Sequence, residues 1–325
     1  MNHLLSLKDF SPAQIQLMLD TSEILQNGNE TPLKDKHILF IFEKPSLRTV
    51  LGTEVAINQL GGHVIHTQPE IMLSQGKNVE FSSRESMKDT IMNVAQWCDA
   101  IFARVYSHET LSEMAAISPI PVINALCEKY HPMQAIADVL TIRQQFGVGN
   151  SAKITFVGDA NNVAGSLFEA LLKLGYSVAF TGPESYYWSE ADLAGFNKLA
   201  AAYSGSFEHS TNPNDVLPGS DVVYTDTFIS MGEEHLTAEK LGHFHGYQVN
   251  EEMMSIAGPQ AYFMHCQPAH RGVEVTGAVL DHERSLVKKQ AFNRMVSAKG
   301  VFASLLSGKL SDADQPEHAL SMNGA

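Results

Sequence analysis

The stretch KITFVGDANNVAGSLFEALLKLG (residues 153–175) places a short apolar run directly before a longer amphipathic segment. The run has the length of a buried strand, and the longer segment has the length of a helix that ends at Gly175. A buried strand followed by such a helix is the repeating unit of a parallel sheet with helices on both faces. This stretch therefore indicates an α/β fold.

The same succession recurs along the chain. Apolar runs precede helical segments at HILFIF (37–42), DAIFARV (99–105), PVINA (121–125), SVAF (177–180), DVVYTD (221–226) and AYFMHC (261–266). The sequence predicts two doubly wound parallel-sheet domains, because one core rarely grows to 325 residues. The polar, glycine-bearing segment FGVGNSAK (146–153) suggests a boundary. We expect domains over 1–147 and 148–293, with a C-terminal helix over about 294–325 packing back on the first domain.

Composition limits the possible functions. The chain has 36 acidic and 22 basic residues, a formal charge of −14, which disfavours nucleic-acid and anionic-membrane partners. Its three cysteines (Cys98, Cys127 and Cys266) are far apart, which argues against a disulfide framework and a thiolate zinc site. No ligand-like histidine spacing is matched by acidic residues, so no metal is expected. The start of the chain does not resemble a signal peptide, and the sequence predicts a cytoplasmic location.

Candidate site residues follow the apolar runs. After the run at 37–42, Pro45 ends the strand and Ser46-Leu47-Arg48-Thr49 opens a helix. Free N–H groups, two hydroxyls and a forked guanidinium at a helix start can hold a phosphate. The alternative is that Ser46 only caps the helix.

Other strand ends carry further candidates. They are Arg104 after IFA, His131 and Gln134 in HPMQAIAD, the asparagines of GDANN (158–162), Asp226 and the Ser230-Met231-Gly232 turn, and Cys266 in HCQPAHRG (265–272). In open α/β sheets, working groups lie at the carboxyl ends of strands. The GDANN segment lacks the glycines of a dinucleotide site, so its asparagines suit a small zwitterion better.

Taken together, these motifs occur in the order found in the aspartate/ornithine carbamoyltransferase family, which the chain resembles from about residue 3 to residue 308. The loop DTFISMG and the segment HCQPAHRG resemble the ornithine branch of the family. The resemblance implies transfer of a carbamoyl group from carbamoyl phosphate to the δ-amine of L-ornithine, without a metal or organic cofactor. It also implies a homotrimer whose active sites lie between subunits.

The resemblance also assigns roles to individual residues. Carbamoyl phosphate would be bound by Ser46, Leu47, Arg48, Thr49, Arg104, His131, Gln134, Cys266, Gln267 and Arg294. Ornithine would be bound by Asn162, Asp226, Ser230 and Met231. The catalytic residues would be Arg104, His131, Cys266, Asp226 and Arg294, and the neighbouring subunit would lend a residue such as Arg84.

Three positions depart from the family pattern. The usual S-T-R-T-R motif has Leu47 and Val50 here, and the usual leucine of H-C-L-P is Gln267. Leu47 keeps its N–H but lacks a hydroxyl donor, so these changes concern efficiency more than reaction type. Two alternatives stay open: a carbamoyltransferase for putrescine or an acylated ornithine, and a non-catalytic protein that binds carbamoyl phosphate.

Overall fold

The computed structural model of the protein describes residues 3–67, 86–149, 152–229, 237–311 and 313. The chain forms two compact units. Unit 1 comprises Met1–Ala137 and Arg294–Ala325, and unit 2 comprises Asp138–Asn293. None of the helices within the described ranges is both long and apolar enough to cross a membrane.

Strands and helices alternate through most of the chain. The strands are β1 (His37–Phe42), β2 (His63–Thr67), β3 (Ala100–Arg104), β4 (Val122–Leu126), β5 (Lys153–Val157), β6 (Ser177–Thr181), β7 (Ser206–His209), β8 (Val222–Thr225) and β9 (Tyr262–His265). The helices are α1 (Pro12–Gln26), α2 (Leu47–Gln59), α3 (Met87–Val94), α4 (His108–Ile117), α5 (Pro132–Phe146), α6 (Asn162–Lys173), α7 (Glu190–Ala202), α8 (Pro213–Val216), α9 (Thr237–His243), α10 (Glu251–Ala257), α11 (Gly277–Leu280) and α12 (Val287–Leu306). Short 3-10 helices span Glu184–Tyr186 and Lys309–Ser311.

Unit 1 is built on a parallel sheet with the strand order β2-β1-β3-β4. Phe102 at its centre contacts Phe40 and, from α12, Phe302, with ring centroids 4.9 and 5.6 Å apart. The backbones of α12 and α1 come close at Gly300, where a Cβ atom would lie 2.0 Å from the Ser22 hydroxyl oxygen. The carboxyl-terminal part of α12 is therefore part of the core of unit 1.

Unit 2 is built on a parallel sheet with the strand order β7-β6-β5-β8-β9. Phe156 of the central strand stacks between Phe180 and Tyr224, at centroid distances of 6.3 and 5.2 Å. In each unit the first strand in the chain pairs with strands on both sides, so the connections leave it in opposite directions. Such a switch point opens a crevice at the carboxyl end of the central strands, where ligands bind in this kind of sheet.

The predicted fold class is confirmed, since both units have parallel sheets and every apolar run named above forms a strand. The expected boundary at 147/148 follows the end of α5, whereas the two compact units divide inside α5 and again inside α12. The assignment of one substrate to each domain stays a prediction.

Candidate active site

The amino-terminal end of α2 lies just beyond β1 and forms the first part of the site. Ser46 occupies the N-cap position, but its side chain makes no capping hydrogen bond to the helix backbone. Its hydroxyl instead donates to Thr49 Oγ1 at 2.9 Å. The simple capping role that competed with phosphate binding is therefore not what Ser46 does. The hydroxyls of Ser46 and Thr49 and the first N–H groups of the helix form a donor set suited to an anion.

Arg294 gathers three other predicted residues around this end of α2. Its NH2 group donates to Thr49 Oγ1 at 3.2 Å, and its NH1 group donates to Gln134 Oε1 and lies 3.4 Å from His131 Nε2. His131 immediately precedes α5, and Gln134 lies in its first turn, where both side chains are buried. Residues from α2, α5 and α12 that are far apart in the sequence therefore form one cluster within unit 1.

Arg104 adds a second guanidinium to the cluster. It ends β3 opposite Phe42 of β1, and its carbonyl oxygen accepts a hydrogen bond from Glu43 N at 2.9 Å. Burial, together with the charges of Arg294 and Arg48, lowers the pKa of Arg104 to about 10. Positive charges held this close are costly unless something negative joins them. The cluster is therefore prepared for an anion.

His131 responds to the same surroundings. Burial, followed by the charges of Arg294 and Arg104, lowers the pKa of His131 well below its usual value. Its imidazole is therefore neutral near pH 7, and it can act as a hydrogen-bond donor or acceptor without adding a further positive charge.

Asp226, directly after β8, is the centre of a different cluster in unit 2. Its Oδ2 accepts a hydrogen bond from Asn161 Nδ2 at 2.9 Å, and its Oδ1 accepts from Thr227 N and from Cys266 Sγ, each at 2.8 Å. The carboxylate is buried. Loops that follow β5, β8 and β9 therefore meet at one acidic group, which suits an ammonium ion.

The segment after β9 is held by His265, whose side chain is buried. His265 Nδ1 accepts a hydrogen bond from Gln267 N at 2.8 Å, and Nε2 lies 3.3 Å from Glu274 Oε1. This pairing places the ring proton on Nε2, where it is donated to the carboxylate. The backbone of Gln267 is thereby fixed beside Cys266.

Three potential metal ligands come together here, although sequence spacing did not indicate them. One donor atom from each of Asp226, His265 and Cys266 lies within 4.8 Å of the other two. Both ring nitrogens of His265 have protein partners, and the Cys266 thiol donates to Asp226, so the three side chains are already held by hydrogen bonds.

The predicted residues thus fall into two groups. Ser46, Thr49, Arg104, His131, Gln134 and Arg294 are gathered in unit 1, with Leu47 and Arg48 beside them on α2. Asp226 and Cys266 are in contact in unit 2, with Gln267 next in the chain. Ser230, Met231 and Arg84 lie outside the described residues.

Both asparagines of the GDANN segment were candidates, but only Asn162, and not Asn161, was assigned to ornithine. Asn161 is the N-cap of α6, where its Oδ1 accepts hydrogen bonds from Val163 N and Ala164 N, each at 3.0 Å. Its Nδ2 is the amide that contacts Asp226, whereas the predicted Asn162 is the first residue of the helix. An N-cap asparagine before a helix was a signal that could have indicated this.

Comparison with known proteins identifies the class. Residues 2–144 match the family model described as "Aspartate/ornithine carbamoyltransferase, carbamoyl-P binding domain". Residues 150–305 match the family model described as "Aspartate/ornithine carbamoyltransferase, Asp/Orn binding domain". The chain is a carbamoyltransferase, an enzyme that moves a carbamoyl group between substrates. It belongs to the aspartate/ornithine carbamoyltransferase family.

Individual relatives point to one branch. The ornithine carbamoyltransferase of Shewanella oneidensis is 39% identical over 94% of this chain and 100% of its own length. The relative from Pyrococcus furiosus named "Ornithine carbamoyltransferase, anabolic" is 37% identical over 94% of this chain and 96% of its own. A solved structure of ornithine carbamoyltransferase from P. furiosus superposes with a TM-score of 0.87, covering 94% of this chain and 97% of that one.

Proposed function

We propose that this protein transfers the carbamoyl group of carbamoyl phosphate to the δ-amine of L-ornithine, giving L-citrulline and phosphate. The observation that carries the proposal is the cluster formed by Arg104, His131 and Arg294 at the start of α2. Carbamoyl phosphate is a small anion whose carbonyl must be polarised, and this cluster offers donors for both its phosphate and its carbonyl oxygen.

Unit 1 binds carbamoyl phosphate in this proposal. Ser46, Arg48, Thr49 and the N–H of Leu47 hold the phosphate oxygens at the positive end of the α2 dipole. Arg104, His131, Thr49 and Arg294 hold the carbonyl oxygen, and Gln134 orients the carbamoyl amide. The family resemblance also assigns Cys266 and Gln267 to the binding of carbamoyl phosphate.

Unit 2 binds ornithine in this proposal. Asn162, Asp226, Ser230 and the backbone of Met231 hold the α-amino and carboxylate groups of the amino acid. The carboxylate of Asp226 is the anionic partner for an ammonium, and the hydrogen bonds from Asn161 and Cys266 fix its direction.

The chemistry follows from where charge develops. The neutral δ-amine attacks the carbonyl carbon, a C–N bond forms, and negative charge builds on the carbonyl oxygen. Arg104, His131 and Arg294 stabilise that oxyanion as it forms. The bond from carbon to the phosphate oxygen then breaks, and the departing phosphate takes up the proton that the amine loses. Each step uses side chains and substrates, and no metal or organic cofactor enters it.

The proposal includes a homotrimer to which the neighbouring subunit contributes a residue such as Arg84. An apolar stripe on α2 supports self-association: Leu47, Leu51 and Val55, spaced four residues apart, are 72%, 52% and 42% exposed. Such a stripe on a helix surface is typical of a protein–protein contact. Sedimentation velocity should give a species of three times 35.6 kDa, and a monomer at micromolar concentration would contradict this part.

The proposal also places the enzyme in the cytoplasm and in the biosynthesis of arginine. The acidic composition and the three separate cysteines fit a reducing compartment. The name of the P. furiosus relative supports the biosynthetic direction.

Citrulline formation tests the reaction directly. The purified full chain is given carbamoyl phosphate and, in parallel, ornithine, putrescine, N-acetylornithine or aspartate, and the ureido product is measured colorimetrically. Activity with ornithine alone is expected. Equal or better activity with putrescine or N-acetylornithine would change the assigned acceptor, and no activity with any of the four would identify a non-catalytic binding protein.

A further inference from the structure

Lysine 240 lies in an unusual place for a charged side chain. It belongs to α9, and its side chain is 0% exposed. Its Nζ donates to Asp159 Oδ2 at 2.7 Å and lies 4.7 Å from the centroid of the Tyr186 ring and 6.0 Å from that of Phe244. One carboxylate and two aromatic faces thus surround a buried ammonium.

The partner of this lysine belongs to the loop that carries the asparagines. Asp159 lies in the loop between β5 and α6, and its carbonyl oxygen accepts a hydrogen bond from Asn161 N at 2.8 Å. The next residue, Ala160, donates its N–H to the carbonyl oxygen of Tyr186 at 3.1 Å. The side chain and the backbone of this loop are therefore both held by the group of residues that surrounds Lys240.

The loop in turn determines how Asn161 meets Asp226. The Oδ1 atom of Asn161 accepts the capping hydrogen bonds of α6, and its Nδ2 group donates to the carboxylate of Asp226. If the loop rotated, that bond and the position of Asn162 at the first turn of α6 would both change. Contacts run without a gap from Lys240 through Asp159 and Asn161 to Asp226.

Stability alone does not require the charge at position 240. A buried ion pair can often be replaced by apolar side chains of similar volume at little cost, because removing charges from water offsets their attraction. If Asp159 were also replaced by an uncharged residue, an unbranched apolar side chain at position 240 would pack against Tyr186 and Phe244 without that cost. What an apolar side chain lacks is a directed bond to Asp159.

We propose that Lys240 is a positioning residue for the amino-acid substrate, which it serves by holding Asp159 and, through it, the loop 158–161. The inference rests on the proposed function, since ornithine is the substrate whose binding Asn162 and Asp226 would govern. Lys240 touches neither substrate in this role. It selects one conformation of the loop that presents the amide groups.

Steady-state kinetics of Lys240→Met in the full-length enzyme tests the inference. The expected result is a rise of about tenfold to a hundredfold in KM for ornithine, because small misplacements of binding groups have effects of this size. The KM for carbamoyl phosphate should stay within about twofold, since most of its proposed ligands belong to unit 1 and are untouched. Lys240→Arg should restore most of the affinity because it can donate to Asp159 again.

Two further variants keep the test decisive. The double variant Asp159→Asn/Lys240→Met removes both charges, so it avoids a lone buried charge and should match Lys240→Met in KM for ornithine. Lys299→Met removes another buried lysine, whose Nζ donates to the carbonyl oxygen of Leu25 in unit 1, and should leave KM for ornithine unchanged. An unchanged KM for ornithine in Lys240→Met and in the double variant, or equal shifts in the KM values of both substrates, would overturn the inference. An inactive wild-type enzyme would instead overturn the proposed function.

Discussion

The two clusters have opposite electrostatic character. Unit 1 collects the guanidinium groups of Arg48, Arg104 and Arg294, and the burial of Arg104, together with the charges of Arg294 and Arg48, lowers the pKa of Arg104. Unit 2 collects a carboxylate, an amide and a thiol, with Asp226 at the centre. Both lie at the carboxyl ends of parallel strands around a switch point. The same kind of architecture thus carries one cluster suited to an anion and one suited to a cation, and the difference comes from the residues at the strand ends and on the neighbouring helices.

The comparison teaches that charge complementarity, more than fold, separates the proposed substrates. Carbamoyl phosphate carries negative charge, and ornithine carries ammonium groups. Single substitutions should therefore affect the binding of one substrate at a time.

The largest effect is expected for Arg104→Ala. Losing a donor to the developing oxyanion costs about 3 kcal/mol, so kcat should fall by about a hundredfold or more. Citrulline formation at saturating substrates measures this. Arg284→Ala is the matched control, since Arg284 is hydrogen-bonded to Gln260 in unit 2 and has no predicted role. A fall of less than about tenfold would mean that Arg104 does not stabilise the oxyanion.

A smaller and more selective effect is expected for Asp226→Asn. Hydrogen bonds to charged groups contribute about 1.5–3 kcal/mol, so KM for ornithine should rise by about tenfold to a hundredfold. The KM for carbamoyl phosphate should hardly change. Asp192→Asn, at an exposed carboxylate that accepts from the Ser189 hydroxyl, serves as the control. An equal rise in KM for ornithine and for carbamoyl phosphate would contradict the assignment of the two substrates to separate clusters.

The strands with mostly buried side chains were predictable from sequence, including the edge strands β4 and β9, but the exposed edge strands β2 and β7 were not. HILFIF and KITFV have continuous apolar character because both faces of a central strand are covered. The strands β2 and β7 were missed, since they lie at the sheet edges and most of their side chains are exposed. Because only one or two residues of such strands need to be apolar, they lack the continuous apolar run by which the other strands were predicted.

Site residues at strand ends were predictable for a similar reason, because a polar group directly after a buried run is conspicuous. The contacts among them were not. Spacing alone does not show that Arg294 reaches His131, which only the family resemblance implied, or that a lysine of α9 pairs with Asp159. These contacts depend on how distant elements pack, and a linear pattern does not contain that information.

The pH dependence of stability should reveal the neutral state of His131. Its pKa is lowered in the folded chain, so as the pH falls below about 6.5 the unfolded chain takes up a proton that the folded chain does not. Its contribution is therefore fully present above pH 6.5 and is lost below it, by up to about 1.4 kcal/mol per pH unit.

Urea unfolding between pH 7 and pH 5 measures this contribution by comparing the wild type with His131→Gln. The free energy of unfolding of the wild type should fall more steeply. His3 and His108 also have lowered pKa values, but both are present in the wild type and in the variant. Their contributions to the pH dependence of stability therefore cancel in the difference. Parallel curves would show that His131 is protonated in the folded enzyme.

The smallest effect is expected at Leu47, where the family pattern has threonine. Leu47→Thr adds one hydroxyl donor at the start of α2, and a net hydrogen bond contributes about 0.5–1.5 kcal/mol. At the low end of that range, KM for carbamoyl phosphate should fall by about twofold, while KM for ornithine should not move. Initial rates at limiting carbamoyl phosphate measure it. Weaker binding of carbamoyl phosphate would mean that position 47 serves packing between copies instead.

The return of α12 to unit 1 has a consequence for synthesis on the ribosome. His131 and Arg294 are separated by 163 positions in the chain, and Phe302 completes the core around Phe102. Most of unit 1 is therefore synthesised first, but it can complete its folding only after α12 has been synthesised. Domains usually fold in the order in which they emerge. A nascent or truncated chain that ends before Arg294 lacks the guanidinium that contacts Thr49, Gln134 and His131, so under the proposed function such a chain should not retain carbamoyl phosphate.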